Sequence, residues 1–132
     1  MGDNPRQYGM KLHLTTVPDK QLITSYGEGW VEINRIRFSS SLIVTPDNVE
    51  GDCGIDDFDH LTARHFEHIA GLKPEVVLLG SGRKQRFIHP QVSHALTDAG
   101  ISMECMDTAA ACRTYNFLMA EGRRVVALLI IQ

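Results

Sequence analysis

The residues best placed to do chemistry lie just beyond an apolar stretch, in Gly80-Ser81-Gly82 and the basic Arg83, Lys84 and Arg86 that follow. Glycine has no Cβ, so the chain at Gly80 and Gly82 can turn sharply and bring its amides close to a ligand. A second group begins at Asp107-Thr108 and continues along an expected helix to Arg113 and Asn116, three positions apart and so on one side of it. If the stretches 75–79 and 101–106 are parallel neighbours joined by a helix, both ends reach one edge of the sheet, where open α/β sheets bind ligands. The candidate ligand-binding site is therefore Gly80, Ser81, Gly82, Arg83, Arg86, Asp107, Thr108, Arg113 and Asn116, suited to a small anionic or carbonyl-bearing ligand. Asp107 counts against a phosphate, because a carboxylate at the helix cap occupies the place of the anion. The same residues also describe a plain glycine turn with a solvated basic loop, in which Arg113 ties its helix to Asp107 or Glu104.

No catalytic group can be assigned. The chain has no GxxxxGK[ST] and no third spaced glycine after Gly82, which sets aside ATP and NAD, and no cofactor is expected. Ser81 lacks the GxSxG setting of a hydrolase nucleophile, and no histidine or acid is paired with it by spacing. His60, His65, Glu67 and His68, with Asp56, Asp57 and Asp59 upstream, contain neither HExxH nor a Cys-x-x-Cys, so they read as a solvated helix and its capping loop, with no metal. Cys105 alternates with apolar Met103, and Cys112 falls a turn inside its helix; both are expected to pack. A binding or assembly protein is favoured over an enzyme.

Composition narrows the partners. The chain has 132 residues, 43% of them hydrophobic, enough for one domain with a real core. A net charge of −3 gives no reason to expect nucleic acid or an anionic membrane as partner. The longest apolar run, Val125 to Ile131, is too short for membrane insertion. Three irregularly spaced cysteines suggest reduced thiols, and MGDNPRQYGMK carries neither a secretory nor an import pattern, so a cytoplasmic monomer or weak dimer is expected.

The elements that must position the site follow from periodicity. Residues 1 to about 8 are polar and expected to be loosely ordered. LHLTTV, LITSYGEGWVEINRIRF and SLIVTP read as short antiparallel strands broken at Gly27, Gly29 and Ser39 to Ser41, with Trp30 as a packing anchor. Asp59 or Thr62 caps a helix over roughly 61–70, with Leu61, Phe66 and Ile69 inward. Glu75 to Leu79 and Val125 to Ile131 show no polar alternation, as expected of central strands covered on both faces. Between them, Pro90 opens a helix running to Ala99. Ile101 to Met106 alternates like a strand near the sheet edge, and Asp107 caps a helix from Thr108 to Glu121. The result is an α/β sandwich with an N-terminal antiparallel β annex, in a single domain over 1–132.

The segments LLGSGRKQRFIHP and GISMECMDTAAACRTYNFLMAEGRRVVALLI resemble a widespread family of single-domain, Mth-domain-like proteins of unassigned biochemistry. It includes the mitochondrial NADH:ubiquinone oxidoreductase (complex I) assembly factor 3 and the adipogenesis-associated Mth-domain-containing protein. The resemblance runs from about Tyr8 to Gln132 and is most specific from Pro74 onward. Family members often have Thr at the Ser81 position, and Phe is known at the Tyr115 position. The resemblance implies a three-layer fold with a mixed central sheet whose last strand runs antiparallel to the others. It also implies a protein partner in the assembly of a multi-protein complex, but it implies no reaction.

Overall fold

The computed structural model describes residues 10–11, 19–51 and 53–132. The first strand segment, LHLTTV, and the loose ordering expected of residues 1 to 8 lie outside the described residues. The annex is a four-stranded antiparallel sheet in chain order: β1 (Met10–Lys11), β2 (Ile23–Gly27), β3 (Trp30–Ile33) and β4 (Ile36–Phe38). Two of its connections are two-residue turns, Glu28-Gly29 and Asn34-Arg35; in the second both residues are at positive φ, the twist that joins adjacent antiparallel strands without splaying them.

The main sheet has five strands in the order β6 (Val49–Glu50), β5 (Leu42–Val44), β9 (Val125–Leu129), β7 (Val76–Gly80) and β8 (Ser102–Met106). As their unbroken apolar character requires, β7 and β9 sit side by side within it, and β8 forms an edge. Alternate side chains of the central strands feed two cores. Leu78, Ala127 and Leu129 meet the annex residues Ile23, Val31 and Ile33 together with Tyr115. Val77, Leu79, Val126 and Leu128 meet Phe66, Ile69 and Leu96 on the opposite face. Each such aliphatic side chain taken out of water stabilises the fold by about 1.5–3 kcal/mol, so a strand serving both cores contributes at every residue.

The helices are α1 (Ala63–Gly71), α2 (His94–Asp98) and α3 (Thr108–Ala120). Thr62 is the N-cap of α1, and its own N–H donates to Nδ1 of His65 at 3.0 Å. Asp107 caps α3 by accepting from the Ala110 N–H at 2.8 Å. Cys112 packs in the core from α3, as expected, and Tyr115 is buried on the same helix.

Two expectations are corrected. The helix expected from Pro90 to Ala99 is only His94–Asp98, because His89 draws the preceding residues into a turn. Its carbonyl accepts from Val92 N at 2.9 Å and its Nδ1 from Gln91 N at 3.1 Å. The last strand does not run antiparallel to all the others: β9 is parallel to β7, which is parallel to β8, and β9 is antiparallel only to β5. Helices α2 and α3 each carry the chain back to the end where the previous strand began, which forces β7, β8 and β9 to point the same way. The reversed direction belongs to β5, which enters from the annex.

Candidate functional site

Parallel β7 and β8 end together, as expected, and the start of α3 lies across those ends. The backbone makes the junction: Ser81 N donates to Met106 O at 2.9 Å, Thr108 N to Gly82 O at 2.9 Å, and Ile130 N to Gly80 O at 2.9 Å. One hydroxyl completes it. Thr108 Oγ1 accepts from Gly82 N at 2.8 Å and donates to Ile130 O at 2.7 Å, so a single side chain links the ends of β7, β9 and α3.

Ser81 is equally committed. Its hydroxyl donates toward Lys84 O at 2.8 Å, with Met106 O at 3.1 Å beside it, and accepts from Arg86 N at 2.9 Å. The serine is buried and braces the loop that follows it. Gly80 is required by close approach, since a Cβ there would lie 3.0 Å from Thr108 Cα. Gly82 has a φ of 99°, which a side chain disfavours. Gly80 therefore lets a helix, rather than a ligand, come close, and Gly82 serves the turn.

In front of this junction lies a cleft of about 320 Å³ whose far wall is the annex. Gly82, Arg83, Asp107 and Thr108 line one side, and Tyr26, Glu28, Trp30 and Val31 the other, with Ile131 and Gln132 between. The walls are largely apolar. At the rim Arg83 pairs with Glu28, and both side chains are well exposed. Trp30, expected as a packing anchor, packs its ring against bare Gly27 under the Arg37 guanidinium, 3.9 Å from the ring centroid, and also forms a half-buried wall of the cleft.

The structure thus gathers Gly82, Arg83, Asp107 and Thr108 at the cleft, with Gly80 and Ser81 in the junction behind. The other three expected site residues do not line it. Arg86 pairs with Asp59 at 2.7 Å and stacks on Phe58, which belongs to the opposite core. Asn116 is used as a backbone mimic, accepting from Ile23 N at 2.9 Å and donating to Ile23 O at 2.7 Å. Arg113 donates to the Tyr26 hydroxyl at 2.6 Å, instead of bridging to Asp107 or Glu104. Helical spacing rightly put Arg113 and Asn116 on one side of α3, but that side faces the annex strand β2. The annex residues of the cleft were missed. Their signal was Gly27-Glu28-Gly29-Trp30, a turn carrying an aromatic, yet nothing in its spacing says which sheet end it packs against.

The remaining reactive groups are dispersed. Cys112 is buried, and burial pushes its thiol pKa up to about 12. Burial also raises the pKa of Cys105. His60 pairs with Asp57 at 2.7 Å and His68 with Glu50 at 2.8 Å, each on its own. Among the described residues no group of three or more His, Cys, Asp or Glu side chains is arranged to hold a metal.

The chain is similar to proteins that carry this domain in different settings. Assembly factor 3 of the NADH dehydrogenase [ubiquinone] 1 alpha subcomplex from Mus musculus is 34% identical over 115 residues, covering 86% of this chain but 62% of the mouse protein. The chain therefore spans less than two thirds of that relative's length. The 13 kDa major membrane protein of Francisella tularensis subsp. holarctica (strain LVS) is 31% identical over 106 residues, 80% of this chain and 86% of that protein. A protein of known crystal structure from Bordetella parapertussis is 39% identical, with a TM-score of 0.82 over 89% of this chain and 100% of its own. Residues 23–130, both sheets and all three helices apart from β1, match the family described as protein of unknown function (DUF498/DUF598), and the chain belongs to it.

Proposed function

We propose that the chain is a non-catalytic, protein-binding factor of the assembly type, acting in the cytoplasm on a multi-protein complex of the respiratory NADH dehydrogenase kind. The observation that carries this reading is the internal commitment of the polar groups around the cleft. The Ser81 and Thr108 hydroxyls, the Gly82 amide and the Asp107 cap all hold the fold together. None of them is paired with a base as a nucleophile requires. A largely apolar concavity beside a rigid junction suits the burial of a partner's side chain. The names of the mouse and other vertebrate relatives support the same direction.

Deleting the gene and measuring assembled NADH:ubiquinone oxidoreductase on native gels tests this reading. Loss of the assembled complex, restored by the wild-type chain, is the expected result; unchanged assembly and activity in the deletion would overturn it. One observation favours a second reading, a small anionic or carbonyl ligand: exposed Arg83 lies at the cleft mouth, and an anion exchanging with Glu28 would reach it. That reading expects binding or turnover of a small carboxylate or phosphate that disappears in Arg83→Ala with folding intact.

A further inference from the structure

Strand β8 closes one side of the main sheet, and no strand pairs with its outer edge among the described residues. It is five residues long, whereas the other sheet edges, β6, β1 and β4, have two, two and three. Edge strands are commonly guarded by lysine, proline or a bulge, because their unpaired N–H and C=O groups invite another strand. Ser102–Met106 has none of these guards. Which groups are open follows from the ladder. Met106 O accepts from Ser81 N, so Met106, and with it Glu104 and Ser102, directs its backbone groups toward β7. Ile101, Met103 and Cys105 direct theirs outward. Two of those outward groups are satisfied within the chain: Ile101 N donates to Leu96 O at 2.8 Å, and Cys105 O accepts from Gln85 Nε2 at 2.9 Å. Between them the Ile101 C=O, both groups of Met103 and the Cys105 N–H have no hydrogen-bond partner among the described residues.

We propose that a second copy of this chain pairs with this edge, β8 against β8, antiparallel about a two-fold axis at Met103. In that register the two Met103 residues exchange both backbone hydrogen bonds, and the Cys105 N–H of each copy donates to the Ile101 C=O of the other. The groups left facing each other, Ile101 N–H and Cys105 C=O, are the two already satisfied internally. Every open group thus finds a partner, and no existing bond is given up. The side chains agree with the same axis. On one face Met103 meets Met103 and Cys105 meets Ile101, extending the core that holds Leu96 and Val126. On the other face exposed Glu104 lies opposite exposed Ser102 rather than a second glutamate. Moving the axis to Glu104 would oppose that residue to itself and ask the occupied Cys105 C=O to accept from Met103. The two-fold axis closes the pairing and removes both open edges. The joined surface is small, so the dimer is weak, with a dissociation constant of about 10 μM to 1 mM. This inference does not depend on the assembly reading.

Sedimentation equilibrium of the full chain from about 5 μM to 1 mM, with amide exchange followed by NMR across that range, tests it. Wild type is expected to pass from monomer to dimer. The amides of Met103 and Cys105 are expected to slow as the dimer forms, while those of Ser102 and Glu104, already bound to β7, change little. Two substitutions at exposed Ser102 read the register. Ser102→Glu sets a carboxylate against Glu104 on both sides of the axis and is expected to weaken the dimer about tenfold; Ser102→Lys sets an ammonium there and is expected to tighten it severalfold. A chain that stays monomeric throughout, a dimer that leaves the Met103 and Cys105 amides as fast as before, or one that responds alike to both substitutions overturns the proposal. So do amides already slow in the dilute monomer, which would mean that the chain covers its own edge. The exchange measurement needs no substitution and decides the matter even where a Ser102 variant fails to fold.

Discussion

The floor and the rim of the cleft are a few residues apart and are built on opposite principles. At the floor, Thr108, Ser81 and Gly80 join three chain segments through short hydrogen bonds and a backbone contact with no room for a methyl group. At the rim, Arg83 and Glu28 meet as two long, well-exposed side chains. The floor spends its polar groups on structure; the rim leaves its charges where a partner can compete for them. A glycine-serine-glycine loop beside a basic run thus contains two different devices, and only the second is open to exchange.

Substitutions at the buried ties should cost most. Asn116→Leu removes both hydrogen bonds to buried Ile23 and leaves its N–H and C=O unpaired, at a cost of about 3 kcal/mol in a denaturant titration. A loss under 1 kcal/mol would mean that the β2 backbone finds other partners. Thr108→Val strands the Gly82 amide and the Ile130 carbonyl, for about 2 kcal/mol. Gly80→Ala pushes a methyl group against the α3 backbone and Ala111, for about 1–2 kcal/mol. At the rim, Arg83→Ala should change stability by less than about 0.5 kcal/mol, because an exposed ion pair is screened by water and salt. Equal losses for Thr108→Val and Arg83→Ala would erase the contrast between floor and rim.

Burial and exposure also separate the titrating groups. With its pKa pushed up to about 12, Cys112 has a thiolate fraction of about one in ten thousand at pH 8. Cys53 and Cys105 should react with a thiol reagent first, and Cys112 only as the protein unfolds; early modification of Cys112 would show that α3 opens locally. The smallest effect belongs to exposed Asp57 and His60. The hydrogen bond between them holds Asp57 below its ordinary 3.8 and His60 above its ordinary 6.5. Support from His60 is complete below pH 6.5 and fades as pH rises through its raised value. Support from Asp57 is complete above pH 3.8 and fades as pH falls through its lowered value. The pair is therefore fullest between these limits. An NMR titration of His60 with a midpoint at or below 6.5 would contradict the contact.

Much of the frame is legible in residue order because the relevant forces are local or fall on every residue of a segment. The unbroken apolar runs of β7 and β9 required cover on both faces, and the alternation of Met103 and Cys105 with Ser102 and Glu104 required an edge. Asp107 is a cap by its own side-chain chemistry. Tertiary structure decided the rest. Strand direction depends on where a connection returns, which is why β5, rather than β9, is the reversed strand. Whether Arg86 or Asn116 meets a ligand depends on neighbours 27 and 93 positions away, Asp59 and Ile23, which spacing along one helix or loop does not encode. The cleft exists because a hairpin turn from the annex comes to rest against the ends of β7 and β9, and that contact is set by the packing of two sheets on a shared core.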